Sequence, residues 1–249
     1  MNPYVDFLKD LTPLLGDYKD KTIMDVGCEM QGNLIRCLTE DFHAASAIGL
    51  NPMAPNKRLS PSCQIVQGDI RKTAFANGHF DLILSSCAFE HIPNLDLALD
   101  EMHRILKPGG FVYSHHGPLW STCYGHHLWL PGNNTYWKIV LPPWCHLLMR
   151  EGELAAWLAK EYHPDAIKPI LDWVYRDTGQ NRLMFTDHLK IYQNSPFEVC
   201  FCSGYEAPAL AKLYRPLMTY EHLRDLKSLF PHHDGFFYDG IKVLLRKRP

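Results

Sequence analysis

The sequence has no uninterrupted apolar stretch approaching the roughly 20 residues that a membrane-spanning helix needs, so no span is expected. It has no Cys-x-x-Cys pair. The eight cysteines, Cys28, Cys37, Cys63, Cys87, Cys123, Cys145, Cys200 and Cys202, have spacings that suit neither a zinc site nor a disulfide framework. Several sit inside apolar runs, where a thiol behaves as a small hydrophobe. That usage predicts a reducing compartment, the cytoplasm. The N-terminus, MNPYVDFLKDL, carries acids early and no long apolar run, so no secretory signal is expected there. Charge of one sign is also scarce. The formal net charge is −2, so no electrostatic footprint for nucleic acid stands out. The cluster Arg246-Lys247-Arg248 reads as a solvated tail after a strand. There is no internal repeat and no low-complexity segment.

What is present is an alternation of elements. With 249 residues, 46% of them hydrophobic, the chain can build one α/β domain with a sizeable core, here read as 1–249. Tyr4, Phe7, Leu8 and Leu11 fall on one helical face behind Pro3. Short apolar runs follow at Thr22–Val26, Ala45–Leu50, Cys63–Gln67, Phe80–Ser85 and Phe111–Ser114. Between the last two, Leu95, Ala98, Leu99, Met102, Ile105 and Leu106 form a helical stripe that Pro108-Gly109-Gly110 stops. Phe197–Cys202 and Gly240–Leu245 resume the strand pattern, with a helix around Tyr220–Leu229 between them. Strands alternating with helices predict a doubly wound, mostly parallel, Rossmann-like sheet of seven strands. Residues 115–195 differ: rich in Trp, His, Tyr and Pro and poor in periodicity, they read as a cap inserted after the fifth strand.

The first apolar run ends in Asp25-Val26-Gly27-Cys28-Glu29-Met30-Gln31-Gly32, and a helical segment follows. A glycine-bearing turn between a first strand and a first helix lets a ligand approach the backbone. Counted from Gly27, the spacing fits GxGxxG with Glu29 at the second glycine, where a dinucleotide pyrophosphate needs close backbone approach. Glu29 adds bulk and negative charge there, and Asp25 adds more. S-adenosylmethionine (SAM) makes the opposite demand, because it carries an ammonium and a sulfonium and no phosphate. The local charge therefore favours SAM over NAD. Gly68-Asp69 follows the third run, where a carboxylate can accept from the adenine amino group.

The ordered set DVGxxxxG, GD, FDLILSS, EHI, helix, ILKPGG closely resembles the class I SAM-dependent methyltransferases, especially those acting on small molecules. The resemblance is clear over Thr22–Ser114 and weak over Phe197–Leu245. It implies that Asp25, Gly27 and the backbone near Cys28 hold the methionine end of SAM. It implies that Asp69 and Ile70 address the adenine and that Ser86 and Cys87 lie along the cofactor. His91 has two readings, a loop brace and a ligand contact. The chain departs from the family pattern twice. Glu29 stands where glycine is usual, and the acid that usually ends the second strand aligns with Gly49. Asn51 could supply a ribose hydrogen bond, although a neutral amide is weaker than a charge-assisted acceptor. On this alignment Gly49→Asp should tighten SAM binding, provided the backbone tolerates a side chain.

The inserted segment begins where open α/β sheets bind substrates, at a strand's carboxyl end. Removing the proton of a hydroxyl acceptor suits a neutral histidine. His116 and His127 are the candidate catalytic residues. His115, Trp120, Tyr124, His126, Trp129 and His146 are candidates for the acceptor pocket, with Tyr136, Trp137 and Trp144 as further aromatic wall. For each one the bland reading is core or loop bracing. Adjacent histidines on a strand point apart and no nearby acid completes a familiar spacing, so no metal is expected. The function expected is methyl transfer from SAM to a small-molecule acceptor, a hydroxyl of a metabolite, sugar or natural-product intermediate. The alternative is a degenerate methyltransferase fold with a binding or non-methylating role. The oligomeric state is not legible.

Overall fold

The computed structural model describes residues 3–129, 140–177 and 179–249. The predicted wall residues Tyr136 and Trp137 lie outside the described residues. In chain order the elements are α1 (Pro3–Leu15), β1 (Thr22–Val26), α2 (Asn33–Glu40), β2 (Ser46–Asn51), β3 (Lys57–Ser60), β4 (Cys63–Gln67), β5 (Phe80–Ser86), α3 (Leu95–Ile105), β6 (Leu106–His116), α4 (Cys145–Leu148), α5 (Glu151–Glu161), α6 (Pro164–Arg176), α7 (Phe185–Asn194), β7 (Glu198–Tyr205), α8 (Pro208–Tyr214), α9 (Tyr220–Leu229) and β8 (Gly240–Arg246). Short 3-10 turns occupy Phe89–His91 and Arg215–Leu217.

The strands form one sheet in the order β3-β4-β2-β1-β5-β6-β8-β7. β1 pairs parallel with β2 and β5, β2 with β4, and β5 with β6. The sheet thus has eight strands, one more than the sequence predicts. The extra strand is β3, which folds back antiparallel on β4 at the sheet edge. Its sequence, Lys-Arg-Leu-Ser, carries no apolar run, so hydrophobic patterning could not reveal it. The central strands are apolar because helices cover them. In α3, Leu95, Ala98, Leu99, Met102 and Ile105 make the buried stripe, at roughly 1.5–3 kcal/mol for each large side chain. That helix ends at Ile105, and Pro108-Gly109-Gly110 lies inside β6, after the stop.

The chain divides into two compact units: Met1–His116 with Lys190–Ser203 and Lys242–Pro249, and Gly117–Leu189 with Gly204–Ile241. The first holds most of the sheet. Its core runs from Leu8, Leu11 and Tyr18 through Ile23, Ile35, Leu38 and Leu84 to Leu244. The second holds two core clusters, one around Leu154, Leu158 and Ile170, the other around Tyr124, Trp144, Tyr214 and Phe236. This second unit differs from the single inserted cap at 115–195, because a stretch between β7 and β8 contributes to it as well. The basic tail also has work within the first unit. Lys247 Nζ donates to the carbonyls of His103 (2.7 Å) and Leu106 (2.8 Å), closing the end of α3, and Arg246 lies over the Phe111 ring. No described helix is long and apolar enough to cross a membrane.

Candidate functional site

A cavity of about 420 Å³ opens at the carboxyl ends of the central strands of the first unit, a size typical of small-molecule sites. Its lining comes from every turn that the sequence motifs marked: Val26 and Gly27 after β1, Leu50, Asn51 and Met53 after β2, Gly68, Asp69 and Ile70 after β4, Cys87 and Ala88 after β5, then His91 and Ile92. Among the sequence-predicted cofactor residues, Gly27, Asn51, Asp69, Ile70 and Cys87 line this cavity together. Asp25, Cys28, Gly49 and Ser86 are not in its lining.

The turn after β1 depends on glycine. Gly27 has φ +86°, and a Cβ there would lie 2.4 Å from the Ala88 Cβ. Its N–H donates to the Leu50 carbonyl at 2.9 Å, which fixes the turn against β2. Behind it Asp25 is buried, and burial, reinforced by the charge of Glu29, pushes its carboxyl up to about 7 against the opposing hydrogen bond from Cys28. Glu29, the residue that departs from the family glycine, has a local task. Its Oε1 accepts from the Tyr4 hydroxyl (2.8 Å) and from the Asn33 N–H at the start of α2 (3.0 Å). The helix cap, Gly32, offers no side chain, so Glu29 satisfies an N-terminal donor that would otherwise lack a protein partner.

Gly49 requires a correction. It pairs with Asp25 in mid-strand, and a Cβ on it would meet Cys28 Sγ at 2.4 Å and Cys28 Cβ at 2.7 Å. No acid fits there, and the residue that ends β2 is Asn51. Asn51 is clasped on both sides: its Nδ2 donates to the Cys28 carbonyl (2.7 Å) and its Oδ1 accepts from the Met53 N–H (2.7 Å). It therefore ties the glycine turn to the end of β2 and sets Met53, 78% exposed, at the cavity.

Asp69 accepts from its neighbour Arg71, through the backbone N–H (2.9 Å) and Nε (3.0 and 3.1 Å). That pairing holds its carboxyl below the usual carboxylate range. The loop beyond it is clamped from α3. Glu101 accepts from the Thr73 N–H and hydroxyl, while Arg104 reaches the Phe75 carbonyl and Asn77. Arg104 beside it, helped by Thr73, pulls Glu101 down to about 2. Asp81 of the FD motif accepts from the Thr22 N–H at the start of β1 and pairs with Lys107 of the LKPGG motif, so both motifs are scaffold. Cys87 adopts φ +52° and donates its N–H to the His115 carbonyl, and Ser85 ties β5 to the Val26 carbonyl.

The histidine candidates are differently placed. His116 is buried; Nδ1 faces the Ser114 hydroxyl (3.0 Å) and Nε2 the Tyr192 hydroxyl (3.2 Å), with Phe89 against the ring. It is not in the cavity lining. Burial and Lys242 lower the pKa of His115. His127, buried with φ +51°, belongs to the second unit. There His126 Nδ1 accepts from the Leu128 N–H, and His146 Nε2–H donates to the Trp120 carbonyl (2.8 Å). Burial keeps both neutral, His146 down to about 4 and His126 well below the usual range. Tyr124 is buried against Tyr214 with its hydroxyl at Asp239, and Trp144 donates to the Ser121 carbonyl. Trp120 lies under Arg182, and Trp129 is 45% exposed. Most of the aromatic and histidine wall is thus core of the second unit. His91 is the one imidazole that the cavity lining contains; Met53 and Arg71 line it without a sequence signal beyond their places just after Asn51 and Asp69.

The residues present fit SAM. Gly27 puts side-chain-free backbone at the cavity, acids flank the turn at one end, and a carboxylate and apolar side chains lie at the other. Comparison with known proteins agrees. A family profile described as "Methyltransferase domain" matches residues 24–114. A sterol 24-C-methyltransferase of Pneumocystis carinii is 32% identical over 110 residues, 40% of this chain and 29% of that protein. A ubiquinone/menaquinone biosynthesis C-methyltransferase of Coxiella burnetii is 30% identical over 107 residues, 43% of this chain and 36% of that one. The chain therefore spans about a third of the length of these curated relatives. A solved SAM-dependent methyltransferase of Mesorhizobium loti superposes with a TM-score of 0.56 at 16% identity, covering 96% of each chain. Residues 24–114 match the methyltransferase-domain profile, and the chain has the class I fold of the SAM-dependent methyltransferases.

Proposed function

We propose that the chain is an enzyme that binds SAM in the cavity of the first unit and transfers its methyl group to a small molecule. One observation carries this reading: a single cavity gathers Gly27, Asn51, Asp69, Ile70 and Cys87 from four separate turns. Gly27 would let the methionine end approach the backbone, with Asp25 and Glu29 making that end acidic for its ammonium. Asn51 would lie beside the ribose, Asp69 would accept from the adenine amino group, and Met53, Ile70 and Ile92 would flank the ring. When bound, SAM supplies an electrophilic methyl on a sulfonium.

The acceptor atom we propose is a hydroxyl oxygen of a metabolite, sugar or natural-product intermediate. His91, in the cavity lining, would hold its proton, whereas His116 is not in that lining. Acceptor carbon is the second reading, favoured by the likeness to two proteins named as C-methyltransferases. The net charge of −2 supports a small molecule over nucleic acid as partner.

The test is calorimetric titration of the protein with SAM and S-adenosylhomocysteine, repeated on Gly27→Val. Saturable binding lost in the folded variant supports the reading. Absence of binding to the folded wild type would favour the non-methylating alternative. Turnover of His91→Ala, His116→Ala and His127→Ala against pH then separates the three imidazoles: the base should cost roughly 10²–10⁴ in rate with SAM affinity retained.

A further inference from the structure

The end of the cavity that follows β4 holds a carboxylate whose bonding capacity is already used. An ionised carboxylate offers about four acceptor positions. Four donor contacts reach Asp69, all from Arg71: the backbone N–H to Oδ1 (2.9 Å), Nε to Oδ1 (3.1 Å) and to Oδ2 (3.0 Å), and Nη2 to Oδ2. Both side chains line the cavity. Among the described residues the Arg71 guanidinium has no second hydrogen-bond acceptor or ion-pair partner. The acid that the cofactor reading gives to the adenine amino group is therefore occupied by a cation of its own turn.

These bonds are not equal. The backbone bond closes the turn, and two others hold it without the guanidinium. The Lys72 N–H donates to the Asp69 carbonyl (3.1 Å), and the Thr73 N–H donates to Glu101 of α3 (2.7 Å). The guanidinium bonds are open to solvent: the Arg71 side chain is 33% and the Asp69 side chain 45% exposed. A pair so exposed is weakly held, because water competes for both ions. The guanidinium can leave Asp69 while the turn keeps its shape.

On the reading that this cavity takes SAM, we propose that Arg71 sets the affinity and the selectivity of the site for adenine: its guanidinium occupies Asp69 until the adenine amino group displaces it. The amino group gains a charge-assisted bond only by breaking one. A base with a carbonyl in place of that amino group has nothing to donate and leaves the pair intact. Arg71 thus narrows the difference between the two bases, where a bare carboxylate would reject the base that lacks the donor. It acts through Asp69, as a positioning residue, and takes no part in methyl transfer.

The experiment titrates the whole chain and its Arg71→Met variant with adenosine and inosine by calorimetry. Both nucleosides are uncharged at pH 7, so removing a cation cannot act through the charge of the ligand. Adenosine should bind the variant roughly three- to fivefold more tightly, and inosine no more tightly. SAM should follow adenosine. On an Asp69→Ala background the same substitution should change neither, because the partner through which Arg71 acts is gone. If Arg71→Met fails to fold, Arg71→Lys, which keeps the charge and loses the planar fork, should shift adenosine in the same direction by less. Equal or weaker adenosine binding to the folded variant overturns the inference and leaves the SAM site standing. Equal tightening of inosine also overturns it, because Arg71 would then be a general obstruction. No saturable binding of SAM to either protein overturns the SAM reading and this inference with it.

Discussion

The two units treat polar side chains in opposite ways. In the first, ions brace the strands and the loop beyond Asp69: Asp81 with Lys107 where β5 and β6 begin, Glu101 with Arg104 and Asp69 with Arg71 on the loop side. In the second, the ion pairs Arg176–Glu151, Lys168–Asp172 and Arg215–Glu206 are solvent-exposed, while the interior holds neutral imidazoles, His126, His146 and His188. Loops that must keep one shape around a charged cofactor are held by charge-assisted bonds. A unit whose interior is aromatic keeps its histidines uncharged, and one ring nitrogen each of His126 and His146 bonds a backbone group. The same residue types therefore have different meanings in the two regions.

The strongest way to break this contrast is to place a new charge in the packed part of the first unit. Gly49→Asp should cost on the order of 4 kcal/mol or prevent folding, because its side chain enters space held by Cys28 and its carboxylate has no partner. Urea unfolding measures this. A stable variant with tighter SAM binding would return Gly49 to the ribose site.

Acid should separate the units. His146 is held down to about 4 from 6.5, so below pH 6.5 the unfolded chain binds more protons than the folded one. Stability is lost as pH falls from about 6.5 towards 4, by about 3 kcal/mol at most for this residue. Glu101 in the first unit is held down to about 2, so its contribution is present above its ordinary 4.5 and is lost only between there and about 2. All six tryptophans lie in Gly117–Leu189, so their fluorescence reports the second unit alone. Fluorescence changing at a higher pH than the far-ultraviolet signal is the expected outcome, and His146→Gln should remove part of that early phase. Coincident transitions would mean that the units unfold as one.

A smaller effect is expected at the cavity itself. Asp69→Ala should weaken SAM binding by about 2 kcal/mol, from an unpaired adenine donor, with little change in melting temperature. Unchanged affinity would remove Asp69 from the site. The smallest effect is expected at Lys107→Met, where the pair with Asp81 is partly exposed: about 0.5 kcal/mol, read by urea unfolding in low salt.

The same contrast decides what the sequence could reveal. The sheet was legible because helix-covered strands are continuous apolar runs, and the turns because glycine at positive φ has few substitutes. Asn51, Asp69 and Cys87 follow from those turns by position alone. β3 escaped because an edge strand of Lys-Arg-Leu-Ser has no apolar signature. Gly49 was mistaken for the strand end because register cannot be counted without knowing where the strand stops; pairing puts the end two residues later. In the second unit, partners lie far apart in sequence, such as Thr122 with Asp239, so spacing carried no information. The histidine-rich segments read as chemistry because buried imidazoles packed in a core look the same in sequence as reactive ones.

The sheet order has a consequence during synthesis. β6 is complete at His116, yet the strand beside it, β8, is Gly240–Arg246. The 123 residues 117–239 separate them, which a ribosome translating about 5–20 residues per second needs on the order of ten seconds to make. For that interval one edge of β6 is without its native neighbour while β1 to β5 can already pair. An unpaired strand edge is a template for the wrong partner. The nascent chain should therefore recruit holding chaperones in a window that opens as β6 leaves the exit tunnel and closes as β8 emerges.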